Sequence, residues 1–254
     1  MKQQQIRKDR VHLIDEVRGF AILCMVIYHA GYDLVSIFSV DIPFFFSPEL
    51  SFIRDIFAGM FIFISGTACK FSSNNLKRGV QCFLLGMLMT FVTDLVMPSQ
   101  FIAFGILHML GVCMILYGLF SGILSKIRPL WGILGAAALF LLTMHLREGY
   151  LGLSFLPIQL PEFLYETRSL FPFGFTGPGF YSSDYFALFP WLFVFLAGSY
   201  FGVYVKEHRL PDFIYKSHCR LLAFAGRHTL VIYVLHQPVV YGILMLVFLV
   251  IGPR

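Results

Sequence analysis

Residues 17–37 read VRGFAILCMVIYHAGYDLVSI, and this stretch decides the fold. A helix rises about 1.5 Å per residue and needs about 20 predominantly apolar residues to cross the hydrocarbon of a bilayer. The stretch has that length and character, so it predicts a membrane span. It also carries Arg18 at its start and His29 and Asp33 towards its end. Ionisable groups are costly in a bilayer, which makes these residues functional candidates.

Outward from this span the pattern repeats. Apolar residues make up 58% of the 254 and charged residues 13%, against about 25% charged in soluble domains. Mean hydropathy is +0.78. Further stretches able to cross lie near 49–69, 79–97, 102–122, 130–146, 185–205 and 228–250. The expectation is an all-α polytopic transmembrane bundle of about seven spans, a single domain over 1–254. The N-terminal tail, 1–16, is basic and polar from Lys2 to Arg10. No small-residue cleavage site follows the first apolar run, so the first helix is expected to stay in the protein. The segment 147–184 holds Pro157, Pro161, Pro172 and Pro178, with Pro190 just beyond. Prolines at that density exclude a regular helix and predict an extracytoplasmic or re-entrant piece packed on the membrane domain.

Arginine and lysine set the orientation, because cytoplasmic loops retain them. With the N-terminus inside, Lys2, Arg7, Lys8, Arg10, Arg18, Lys70, Lys77, Arg78, Lys126, Arg128, Lys206, Arg209, Lys216, Arg220 and Arg227 are cytoplasmic. Only Arg54, Arg147, Arg168 and Arg254 fall outside, so 15 of the 19 obey one assignment, which puts the C-terminus outside. The net charge of +5 is then explained by topology and anionic lipid, and no nucleic-acid partner is expected. Cys24, Cys69, Cys82, Cys113 and Cys219 show no CxxC or CxxH spacing, so they are expected as small core residues, with no metal site.

His29 lies eleven residues beyond Arg18, about 16 Å further along a helix. Asp33 follows His29 at i+4 and shares its face. That is the spacing of a base and an orienting carboxylate, the imidazole being left to take a proton from an incoming nucleophile. A polar helix contact for His29 and a solvated helix end for Asp33 fit the same spacing. His108 in FGILHMLGV falls at a comparable depth, as a candidate to share a cavity with His29, and His236 in YVLHQPVV lies near mid-span beside the helix-disrupting Pro238. For each, an interhelical hydrogen bond is the plainer alternative. The second span ends in FAGMFIFISGTACKF, whose Ser65, Gly66, Thr67 and Ala68 allow close approach by another helix or by a ligand.

Taken together, LIDEVRGFAILCMVIYHAGYDL, FIFISGTA, FGILHMLGV, DYFALFPWLFVFLAGSYFG and GRHTLVIYVLHQP resemble the bacterial branch of the heparan-α-glucosaminide N-acetyltransferase catalytic-domain family. The Arg18-to-His29 spacing also looks like the signature of the broader transmembrane acyltransferases that decorate polysaccharides. The chain differs from the lysosomal members in having no large lumenal domain and no histidine between Ala30 and Leu107.

The resemblance implies transfer of an acyl group, typically acetyl, from cytosolic acetyl-CoA to a saccharide or glycan amine or hydroxyl on the far side of a bacterial inner membrane. It implies that Arg18, Lys70, Lys77 and Arg78 hold coenzyme A phosphates and that the pantetheine arm passes Ser65 and Gly66. His29 would then act as base or nucleophile, with Asp33 beside it and His108 steadying the oxyanion. A homo-oligomer stays open. A proton-coupled transporter or channel using His29, Asp33, His108 and His236 is the rival reading, although no internal repeat with interrupted helices accompanies it. A membrane scaffold is the third.

Overall fold

The computed structural model describes residues 11–251. Lys2, Arg7, Lys8, Arg10 and Arg254, used above to orient the chain, lie outside the described residues. The protein is an all-α polytopic bundle, and among the described residues 7 helices are long and apolar enough to cross a membrane. They are built on α1 (His12–Ser36), α2 (Pro48–Ala68, its span running on to Phe71), α3 (Asn75–Val96), α4 (Ile106–Leu124), α5 (Pro129–Thr143, its span running on to Glu148), α7 (Leu188–Lys206) and α9 (Thr229–Ile251). Among the described residues two shorter helices, α6 (Phe163–Glu166) and α8 (Arg220–Arg227), accompany them. The fold divides into two compact units, Met1–Ile64 with Leu210–Arg254, and Ser65–Arg209.

In the first unit α1 lies against α8 and α9. The approach to α8 is at backbone distance, because a Cβ at Gly19 would overlap the carbonyl of Leu222 and one at Gly226 would overlap the carbonyl of Asp15. Polar groups of the first two turns of α1 fasten the contact. Arg18 Nε donates to Gly226 O at 2.7 Å and its Nη2 pairs with Asp15 at 2.7 Å. Glu16, only 4% exposed, accepts from the backbone N–H groups of His218 (2.7 Å) and Cys219 (3.0 Å) and from the Ser217 hydroxyl (3.1 Å). A buried carboxylate is tolerated when donors surround it, and here they lead the chain into α8. Further along, Phe38 stacks on Phe248 of α9 at 4.7 Å.

In the second unit α3 and α4 form one hairpin, and α7 packs on both α4 and α5. Of the spans, α4 is the most buried. The proline-rich segment holds only short pieces, among them β1 (Tyr150–Leu151) and β2 (Ile158–Gln159), antiparallel with Tyr150 opposite Gln159. It contains no further helix of spanning length. Its end lies along the connection between α3 and α4, where Ser183 N donates to Phe101 O at 2.9 Å and Phe186 N to Phe104 O at 3.0 Å. Burial pushes the Tyr185 phenol up to about 12, against the pull of Arg147, whose guanidinium lies 5.0 Å over the ring.

Candidate active site

His29 and Asp33 project from successive turns of α1, and α9 brings His236 and Gln237 to meet them. The His29 and His236 rings are 5.0 Å apart, centroid to centroid. Among the described residues His29 makes ring contacts, with Tyr28 and His236, and no hydrogen bond. Both imidazole nitrogens of His29 therefore stay available to a reacting group. His236 is buried, and its Nδ1 lies 2.6 Å from the Tyr233 carbonyl, an acceptor only. The proton of neutral His236 is thus on Nδ1, which leaves Nε2 as a base.

Asp33 is 1% exposed. Its Oδ1 accepts from the Gln237 amide nitrogen at 3.3 Å, and no hydrogen bond joins it to His29 among the described residues. This departs from the base-and-carboxylate arrangement expected from the i+4 spacing. The carboxylate turns across to α9 and takes its donor from the Gln237 amide instead of from the His29 ring. Pro238 follows directly, and its missing N–H interrupts the ladder of α9 at this level.

His108 belongs to the second unit, and there both ring nitrogens are engaged. Its Nδ1 accepts from Gly105 N at 3.2 Å, closing the first turn of α4. That fixes the proton of the neutral ring on Nε2, which lies 3.3 Å from Thr90 Oγ1. The Thr90 hydroxyl in turn donates to Ile102 O at 2.7 Å. At 2% exposure, between the rings of Phe83 and Phe104, the imidazole joins α3 to α4.

The cationic candidates divide by duty. Arg18 is committed to Asp15 and Gly226 as described above. Lys77 and Arg78 are exposed in the first turn of α3, where Asn74 caps the Lys77 N–H at 2.8 Å. Lys70 places its ammonium 5.6 Å from the Tyr117 ring, and its carbonyl accepts from Lys206 at 3.2 Å. These side chains and the start of α3 have the charge and donors to hold phosphate. Gly66 meets α7 closely, since a Cβ there would overlap the Phe195 carbonyl, and Thr67 Oγ1 donates to Gly198 O at 3.0 Å. Ser65, one residue earlier, has its carbonyl accepting from Cys69 Sγ at 3.5 Å. The small residues at the end of α2 thus allow helix contact with α7.

A family model described as "Heparan-alpha-glucosaminide N-acetyltransferase, catalytic" matches residues 10–238. The chain belongs to this family. No curated protein and no solved structure matches it. Membership supports a transmembrane acetyltransferase-type function, and acetyl-CoA is the donor used by acetyltransferases of the heparan-alpha-glucosaminide type. No group of three or more metal-ligating side chains occurs among the described residues. Two functional candidates in this family member escaped the sequence: Gln237, a neutral amide between His236 and Pro238, and α8, whose Gly226 accepts the contact from α1. An amide in an otherwise apolar span was the available signal for the first.

Proposed function

We propose that the protein transfers an acetyl group from coenzyme A to an amine or hydroxyl of an extracytoplasmic glycan, with His29 as general base. One observation carries this reading: in a member of an acetyltransferase family, an imidazole inside a span is left without a hydrogen bond among the described residues and faces a second histidine. Such a ring is ready to accept a proton. The acceptor's N–H or O–H proton passes to His29 as its lone pair attacks the thioester carbonyl carbon. Collapse of the tetrahedral intermediate breaks the C–S bond, and the thiolate leaves and is protonated by the imidazolium. His236, with Nε2 as its basic atom, stands close enough to share that proton.

Lys70, Lys77 and Arg78 are the residues proposed for the coenzyme A phosphates, on the cytoplasmic side by the distribution of arginine and lysine. Arg18 acts in this reading by holding α8, and His108 by holding the start of α4. Ser65 and Gly66 serve the packing of α2. The bacterial cytoplasmic membrane is the proposed location.

Purified protein in detergent, given radiolabelled acetyl-CoA and amino-sugar acceptors, is expected to transfer label. His29→Ala should lower turnover about 10²–10⁴-fold, the usual contribution of a positioned base, while binding of acetyl-CoA persists. Full activity in His29→Ala would remove His29 from the mechanism. Absence of coenzyme A binding, label transfer and thioester hydrolysis in the wild type would remove the acyltransferase reading.

A further inference from the structure

Polar atoms buried in a membrane span find partners, and each exception calls for a cause. Asp33 Oδ2 and Gln237 Oε1 are both buried without a hydrogen-bond partner among the described residues. They belong to side chains in direct contact, the Gln237 amide nitrogen donating to the other oxygen of the same carboxylate at 3.3 Å. With Asp33 ionised, the two open atoms are both acceptors and one of them belongs to the charged carboxylate. No Lys, Arg or His forms an ion pair with Asp33 among the described residues, and Arg54 of the same unit is paired with Asp55 at 2.8 Å.

The group that completes this arrangement must bring N–H or O–H donors, compensate a negative charge and present no lone pair. A primary ammonium meets all three conditions, whereas a hydroxyl offers one donor and no charge. Its place relative to the base is set by the two helices. His29 precedes Asp33 by one turn of α1, about 6 Å of rise. His236 precedes Gln237 on α9, with its ring 5.0 Å from that of His29. We infer that Asp33 and Gln237 form the subsite that receives the acceptor as a protonated primary amine, beside the imidazole that deprotonates it. This rests on the reading of His29 as the base and adds a receiving site and a charge state. The ammonium gives one N–H proton to His29, so a neutral amine and an imidazolium result, and the amine nitrogen then has the lone pair that attacks the thioester. As the C–S bond breaks the thiolate takes the imidazolium proton, and the second N–H proton, lost from nitrogen as the amide forms, passes to His236 Nε2 and from there to water. Asp33 keeps its charge throughout and holds the remaining N–H groups.

The test uses the full chain in detergent without any acyl donor. Glucosamine is the probe, glucose its neutral counterpart and phosphoethanolamine the amine as it occurs on a lipid headgroup. Charge-assisted hydrogen bonds predict that an ammonium probe binds roughly tenfold or more tightly than glucose. Tighter binding of glucosamine marks a sugar amine and tighter binding of phosphoethanolamine a lipid amine, and either supports the subsite. Asp33→Asn and Gln237→Met should each reduce the preference, Asp33→Asn abolishing it. Equal binding of glucosamine and glucose by the wild type, or a preference that survives Asp33→Asn, overturns the inference.

Isotope-edited infrared spectroscopy of the wild-type carboxyl groups gives a second readout that needs no variant. An ionised Asp33 whose band moves on adding the amine supports the site. A protonated Asp33 that glucosamine leaves unchanged overturns it, since the acid proton would then satisfy Gln237 Oε1. Acetyl-CoA binding and hydrolysis, measured on the same preparation, separate the two levels. If they persist without an amine preference, the subsite alone fails. If they are absent while the preference holds, the acyltransferase reading fails and the amine site stands.

Discussion

At the residue scale, the two intramembrane histidines of α1 and α4 differ in what their rings touch. His29 makes ring contacts and no hydrogen bond among the described residues, whereas His108 is fixed on both nitrogens between Gly105 and Thr90. Replacing His108 by Ala leaves a helix-start N–H without its acceptor, so a loss of about 1–3 kcal/mol in stability is expected. Thermal unfolding in detergent would show it as a lowered Tm, and an unchanged Tm would contradict the structural role. His236→Ala should lower turnover without weakening acetyl-CoA binding, which a steady-state split of kcat from KM would read. His29, Asp33 and His236 were legible in the sequence because ionisable groups stand out in apolar runs. The partner of Asp33 was not. Spacing of i+4 gives a shared face, but whether a carboxylate turns along its own helix or across to another depends on which donor lies there. Gln237, 204 positions away, has an amide whose importance only the contact reveals.

At the element scale, the spans were legible because lipid demands about 20 apolar residues in a row, and their ends were less so. The first helix begins at His12, ahead of the apolar run, because its polar opening turns are neutralised by α8 and the residues leading into it. The fourth begins at Ile106, where Gly105 and His108 cap it. The eight-residue α8 was hidden in what composition marks as a basic loop, since its glycine-to-backbone contact with α1 carries no hydropathy signal. Gly226→Ala should therefore force α8 away from Asp15 and lower both yield and Tm, more than Gly242→Ala on α9, where a Cβ meets nothing within 4 Å. Equal effects of the two would contradict the packing. Glu16→Gln should cost about 1.5–3 kcal/mol, the range for hydrogen bonds to a charged group, again read by thermal unfolding.

At the scale of the whole molecule, apolar side chains such as Leu95, Leu249 and Val250 remain 72%, 80% and 85% exposed, which fits a surface solvated by lipid. The distribution of basic residues predicts an N-terminus in the cytoplasm. A cysteine at Lys77→Cys should then react with an impermeant maleimide only from the cytoplasmic side, and one at Arg168→Cys only from the other side. The reverse pattern would invert the topology. The central claim is acyl transfer across the bilayer, and vesicles containing protein of one orientation test it most directly. With radiolabelled acetyl-CoA on the Lys77 side and an amino sugar on the opposite side, the account predicts labelled sugar in wild-type vesicles and a loss of about 10²–10⁴-fold in His29→Ala. Unlabelled sugar in every arrangement, with proton flux that needs no acyl donor, would contradict it and favour a transporter.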